Sequence, residues 1–211
     1  MSETNESVAR YGMVIDLALC VGCNACTVAC RMENETPTGR FNTWVESWDA
    51  GEYPNVFRAN LPKMCNHCED APCVRVCPTG ASYRTEDGVV LVDDERCIGC
   101  KYCMAACPYQ VRWQDPDAGH VDKCTLCYHR IKDGLLPACA ASCITHARVF
   151  GDLNDPDSDI SQKLAQGNEE TLLSELDLGP SVYYVGLSET TGLQKTSVVH
   201  QGGNKLDRAN A

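Results

Sequence analysis

The chain has 211 residues, a formal net charge of −11 and 44% hydrophobic residues, a share swollen by sixteen cysteines beside only three Phe and three Trp. That length allows one or two small domains, and the thin apolar core predicts that bound metal supplies part of the folding energy. No apolar run approaches the ~20 residues of a membrane span, no basic run interleaved with aromatics suits nucleic acid, and no glycine-rich motif suits a flavin or NAD. The acidic surface serves solubility first, and second the rate of encounter with a partner of opposite charge.

In chain order, residues 1–10 are polar, and Met1 to Gly12 lacks the apolar stretch of a signal peptide. Tyr11-Gly-Met-Val-Ile-Asp16 predicts a short strand, and Ala25 to Arg31 one helical turn carrying Cys30. Residues 31–64 form an insertion, with a strand over 41–48, a turn over Asp49–Pro54 and a returning strand over 56–61. Trp44, Trp48, Tyr53 and Phe57 make it the most aromatic region, suited to local packing or to a protein interface. A hairpin is expected next, with strands at 80–84 and 89–93 around the turn Glu86-Asp87-Gly88. Tyr128 to Ala138 is expected to loop out, carrying His129, Arg130 and Lys132 as solvated charges or as cations that tune a nearby metal centre. A strand over 147–152, a helix over 160–165 ending before Gly167, a short helix over 172–178 and a strand over 181–187 follow. Residues 188–211 read as an extended tail.

The cysteines fall into four sets of four with none left over: Cys20, Cys23, Cys26 and Cys30; Cys65, Cys68, Cys73 and Cys77; Cys97, Cys100, Cys103 and Cys107; Cys124, Cys127, Cys139 and Cys143. The third set, Cys97-Ile-Gly-Cys100-Lys-Tyr-Cys103-Met-Ala-Ala-Cys107-Pro108, is the bacterial ferredoxin run, in which three thiolates hold one cube and the fourth reaches a second. Disulfide frameworks suit shorter secreted chains. Structural zinc uses paired CxxC steps and leaves the third step and the trailing Cys-Pro without a purpose. Four [4Fe–4S] clusters are therefore expected, assembled in a reducing compartment. Gly22 and Gly99 precede the second cysteine of their sets, where a small residue lets backbone N–H groups turn toward sulfur.

Sets two and three enclose the central hairpin and read as a complete two-cluster module over 60–115. Sets one and four flank it. If the strand at 11–16 pairs with that at 147–152, the flanks (11–59 and 116–187) fold together as a second module. The expected fold is α+β: two ferredoxin-like modules related by pseudo-two-fold symmetry, one inserted in the other, with a partner-binding insertion and the tail at 188–211. Exchange of the fourth cysteine then assigns the ligands. Cys20, Cys23 and Cys26 share a cluster with Cys143; Cys124, Cys127 and Cys139 with Cys30; Cys65, Cys68 and Cys73 with Cys107; Cys97, Cys100 and Cys103 with Cys77. His67, His120, His129 and His146 are expected at the surface or in packing roles, and no catalytic residue is identified.

The architecture over 11–187 resembles the iron–sulfur subunit of respiratory molybdopterin oxidoreductases, of the dimethyl sulfoxide, polysulfide, tetrathionate and arsenate reductase type. The resemblance lies in Gly12-Met-Val-Ile-Asp16, Cys65-Asn-His-Cys68-Glu-Asp-Ala-Pro-Cys73, Cys97-Ile-Gly-Cys100, Ala106-Cys-Pro-Tyr109, Asp122-Lys-Cys-Thr-Leu-Cys127, Gly134-Leu-Leu-Pro-Ala-Cys139 and Gly151-Asp-Leu-Asn-Asp-Pro156. It implies a large molybdopterin catalytic subunit and an integral-membrane, quinone-reactive subunit as partners, with electrons passing along a row of clusters and no small-molecule substrate touching this chain. It also implies attachment to the cytoplasmic membrane through a partner, on the periplasmic face by co-export, the cytoplasmic face being the alternative. A free polyferredoxin and the iron–sulfur subunit of a formate dehydrogenase or hydrogenase are the other readings of the same cysteines.

Overall fold

A computed structural model describes residues 8–192. Strand β1 (Tyr11–Asp16) runs into the first cysteine loop, and α1 (Ala25–Glu33) leaves it. A long hairpin follows, β2 (Thr43–Glu52) and β3 (Asn55–Met64). The second cysteine set lies around α2 (Pro72–Arg75), started by a proline whose missing N–H is no loss in the first turn. The hairpin β4 (Ser82–Arg84) and β5 (Val90–Val92), then α3 (Tyr102–Ala106) and the short pair β6 (Trp113–Gln114) and β7 (Val121–Asp122), complete the middle of the chain. The fourth set is spread over α4 (Tyr128–Lys132) and α5 (Ala138–Ala141). Then come β8 (Arg148–Asp152), α6 (Asp159–Leu164), β9 (Glu169–Glu170), a 3-10 turn at Ser174–Leu176, β10 (Val182–Val185) and α7 (Leu187–Gly192). Ser158 caps α6 by accepting a hydrogen bond from the Ser161 amide at 3.3 Å.

The main sheet has the order β8-β1-β10-β9. β1 lies in its interior, antiparallel to β8 and parallel to β10. The pairing expected between 11–16 and 147–152 is present, with Tyr11 opposite Asp152 and Ile15 opposite Arg148. Met13, Val14 and Ile15 are fully buried, as an apolar run covered on both faces should be. The pairing brings the end of the fourth cysteine set beside the start of the first. β4 and β5 form the expected central hairpin. Cysteines from all four sets belong to one continuous buried cluster with Met13, Ile15, Met64, Leu126 and Tyr184. Among the described residues no helix is long and apolar enough to cross a membrane.

Several elements differ from expectation. The turn expected at Asp49–Pro54 shrinks to its last residues, because Asp49 to Glu52 continue β2 opposite Asn55 to Arg58. A bidentate ion pair holds that polar stretch extended, Arg58 Nε reaching Asp49 Oδ1 at 2.7 Å. The aromatic residues of the hairpin divide: Trp48 is buried, while Tyr53 at the tip is 93% exposed. The loop expected over 128–138 begins as α4, whose Ile131 is buried. The tail expected from 188 starts instead within α7. Its remainder, from 193, and the polar residues 1–7 lie outside the described residues.

Candidate metal centres

Each cysteine loop turns by the same backbone device. The residue before the second cysteine has positive φ in all four sets: Gly22 at 68°, His67 at 45°, Gly99 at 65° and Leu126 at 54°. Glycine adopts this conformation freely, whereas His67 and Leu126 are strained by it. The glycines at 22 and 99 were legible from sequence; the two larger residues at the matching positions were not. The turned loops leave amides directed at sulfur. Ser82 N donates to Cys77 Sγ, Val121 N to Cys97 Sγ and Leu126 N to Cys124 Sγ, each at 3.4 Å.

The loops bring the cysteines together in four gatherings. Cys77, Cys97, Cys100 and Cys103 line one cleft open to solvent. Cys20, Cys23, Cys26 and Cys143 line a second. Cys100 and Cys23 are the exposed members. The other two gatherings are wholly buried. In one, burial pushes the Cys68 thiol up to about 12, and charge on Cys65, Cys73 and Cys107 acts in the same direction. In the other, burial and then charge on Cys139 and Cys127 raise Cys30. Cys124 is raised by burial, then by Cys30, Cys139 and Cys65. Cys65 belongs to the neighbouring gathering, so the two buried groups adjoin.

Cys77 and Cys143 titrate the other way for matching reasons. Burial pushes each thiol up. At Cys77, donors on Ser82, Thr79 and Ala81 outweigh burial; at Cys143, those on Thr145, Arg148 and Ala147 do so. The hydroxyls of Thr79 and Thr145 lie 3.7 and 3.8 Å from the two sulfurs.

These donor sets fit an iron–sulfur cube. All four are purely thiolate. A tetrahedral zinc would draw four sulfurs to ~2.3 Å from one point, yet among the described residues no three His, Cys, Asp or Glu close on a single-ion site. Two of the gatherings line open clefts, and buried polar atoms close to the cysteines, His67 Nε2 and Arg112 Nη1, have no protein hydrogen-bond partner.

Residues 56–153, which hold the second, third and fourth sets, match the 4Fe-4S dicluster domain family. The chain is 46% identical to the B subunit of tetrathionate reductase from Salmonella typhimurium, over 85% of this chain and 74% of the relative. It is 40% identical to the iron–sulfur B subunit of a putative dimethyl sulfoxide reductase from Halobacterium salinarum, over 84% and 79%. It is 38% identical to the arsenate respiratory reductase iron–sulfur subunit of a Shewanella species, over 83% and 96%. The chain belongs to this family of reductase iron–sulfur subunits. As a reductase iron–sulfur subunit it binds [4Fe–4S] clusters and transfers electrons.

The charged side chains singled out from sequence are not free in this iron–sulfur subunit. His129 and Arg130 both pair with Glu33, at 2.8 and 2.9 Å, and Lys132 pairs with Asp87 at 2.7 Å. Each is held by a carboxylate on the protein, Glu33 or Asp87, and no sulfur contact is found for any of the three among the described residues. The cations that do reach sulfur were missed. Arg112 and Arg148 are 6% and 5% exposed, and each stands five residues after the last cysteine of its set. That shared offset was the available signal. Lys123 is also buried, its Nζ donating to Val90 O and, at 2.7 Å, to Cys124 O. His67 takes a packing role: Nδ1 accepts from Val90 N at 3.0 Å. Burial, then Lys123 and Arg112, hold its pKa well below the ordinary value, so the ring is neutral. Asn34 Nδ2 approaches Cys30 Sγ at 3.5 Å and Cys127 Sγ at 3.8 Å, another donor not foreseen.

Proposed function

We propose that the sixteen cysteines hold four [4Fe–4S] clusters with the exchanged fourth ligand. Cys20, Cys23, Cys26 and Cys143 hold one; Cys124, Cys127, Cys139 and Cys30 the next; Cys65, Cys68, Cys73 and Cys107 the third; Cys97, Cys100, Cys103 and Cys77 the last. Two ferredoxin-like modules carry them, an inner one over 60–115 inserted in an outer one over 11–59 and 116–187. The matching surroundings of Cys77 and Cys143, each with Thr at +2 and Ala at +4, support a pseudo-two-fold relation between the modules. When bound, the clusters supply one-electron redox chemistry over a range of roughly −700 to +450 mV. The protein supplies their spacing, their sulfur hydrogen bonds and their exclusion from water.

One observation carries the functional reading: the order of burial. The gatherings that hold Cys23 and Cys100 reach the surface, and each adjoins, across Arg148 or Arg112, one whose cysteines are all buried. Cys124 and Cys65 interact at the joint. Such a row has two exits and a protected middle, which suits a subunit fixed between two partners. Exposed Val21 and Val28 border one exit, and exposed Ile98 and Tyr102 the other, apolar residues suited to docking. In this reading the exit at Cys23 faces a molybdopterin catalytic subunit that reduces a sulfur, arsenic or related oxyanion or oxide. The exit at Cys100 faces a membrane quinone-reactive subunit on the periplasmic side of the cytoplasmic membrane. The reductase names of the relatives support the substrate class.

Purification of the chain with its native partners tests this. About one molybdenum or tungsten per copy of the chain, with reduced-dye activity on sulfur or arsenic oxyanions, is expected. A chain that purifies alone, with iron but neither metal, is a free polyferredoxin and overturns the reading.

A further inference from the structure

Two buried cations occupy corresponding places between gatherings. Arg112 lines the cavity of Cys77, Cys97, Cys100 and Cys103, and its Nη2 donates to Cys73 Sγ of the adjacent buried gathering at 2.9 Å. The same nitrogen donates to Ser82 Oγ at 2.9 Å, and the Ser82 amide donates to Cys77 Sγ. Arg148 lines the cavity of Cys20, Cys23, Cys26 and Cys143, and its Nη1 lies 3.6 Å from Cys139 Sγ of the other buried gathering. Thr43 Oγ1 accepts from its Nη2 at 2.9 Å, and Met64 Sδ lies 3.3 Å from its Nη1. Each guanidinium therefore borders one surface gathering and touches a thiolate of one buried gathering in the same module.

Among the described residues neither arginine has a carboxylate within ion-pair distance. Burying an unpaired cation is costly, and arginine cannot escape the cost by losing its proton. The compensation here is sulfur. Arg112 reaches Cys73 Sγ at 2.9 Å and Arg148 lies 3.6 Å from Cys139 Sγ. A cluster gains negative charge on reduction, so a fixed cation beside it in a low-dielectric interior favours the reduced form. The two arginines sit at the first and last joints of the row, where one charge acts on two clusters.

We propose that Arg112 and Arg148 are positioning charges that raise the reduction potentials of both clusters of their own module, Arg112 for the inner module and Arg148 for the outer. The proposal rests on the cluster assignment above. It makes potential a property of each module, set by one side chain, and leaves the exposed cations of α4 without that role.

Potentiometric titration of the intact complex, followed by electron paramagnetic resonance, is the test, with signals assigned through Cys23→Ser and Cys100→Ser. In Arg112→Gln the reduced-to-oxidised ratio of both inner-module clusters, read at a fixed potential, falls at least tenfold, which is ~59 mV for one electron. The outer-module clusters stay within threefold. Arg148→Gln gives the converse. Arg112→Lys and Arg148→Lys keep the charge and stay near wild type, and they carry the test if a glutamine variant loses iron. Unmoved potentials in a fully loaded glutamine variant, a fall as large in a fully loaded lysine variant, or equal falls in both modules would overturn the proposal. Failure of the underlying cluster assignment shows separately, as a wild-type complex that lacks four cluster signals.

Discussion

Gly99 offers a test of how tightly the third cysteine loop is built. Its φ is +65°, and a Cβ added there would lie 2.5 Å from Gly119 O and 3.4 Å from Gln114 Nε2. The carbonyl cannot swing aside freely. Gln114 Nε2 donates to it at 2.9 Å, and the Gly119 amide donates to Asp115 O at 3.0 Å. The Asp115 carboxylate further fixes the turn by accepting from the amides of Asp117 and Ala118. Gly99→Ala therefore incurs about 1–2 kcal/mol of left-handed strain and about 1–3 kcal/mol of overpacking against backbone. Gly134 is the control. Its φ is +74° and nothing lies within 4 Å of the added carbon, so Gly134→Ala incurs only the strain. Cluster loss is irreversible, so the rate of thermal bleaching of the visible cluster absorbance is the proper readout. At ~1.4 kcal/mol per factor of ten, the ~1–3 kcal/mol of overpacking is expected to make Gly99→Ala bleach about five- to a hundredfold faster than Gly134→Ala, with iron lost first at the third set. Equal rates for the two variants would refute the packing argument.

Three further outcomes are expected. Asp87 joins the central hairpin to α4, accepting from Lys132 at 2.7 Å and from Tyr128 at 3.0 Å. Burial raises its pKa, but these donors and Thr85 outweigh burial and hold it below the ordinary value. A carboxyl depressed on folding stabilises the fold above its unfolded pKa of about 3.9 and loses that contribution as pH falls through the folded value. Wild type should thus resist bleaching better than Asp87→Asn by about 1–3 kcal/mol at neutral pH, the gap closing only under acid. Lys123→Met leaves the carbonyls of Val90 and Cys124 without their buried donor and should cost about 1–3 kcal/mol for each, read as faster bleaching across the whole visible spectrum. A chelator should release iron in two phases, about half of it rapidly, because Cys23 and Cys100 are exposed whereas Cys30, Cys65, Cys124 and Cys139 are buried.

Much of this protein could be read before folding it. The strand at 11–16 was legible before the first cysteine loop, and its pairing with 147–152 followed from the place of that segment after the fourth set, matching the hairpin's first strand after the second; both are present in the main sheet. The central hairpin followed from the turn at Glu86-Asp87-Gly88 between apolar residues. What stayed hidden depended on tertiary context. Tyr128 to Lys132 form only five helical residues, with one buried side chain, Ile131, to mark a face, so no periodicity distinguished α4 from a loop. Asp49 to Glu52 have turn-like composition but extend because each finds a partner across the hairpin. His67 and Leu126 adopt a backbone usually left to glycine, which composition cannot show. Arg112 and Arg148 are isolated arginines, a type ordinarily found at the surface. Only the folded chain reveals that sulfur surrounds them.

The central claim is that every cysteine holds a cluster. Iron, acid-labile sulfide and zinc measured together on the intact complex, corrected for metal held by partner subunits, test it most directly. The account expects about sixteen iron and about sixteen sulfide per copy of this chain, with negligible zinc. About eight iron, or zinc in place of iron, would contradict it.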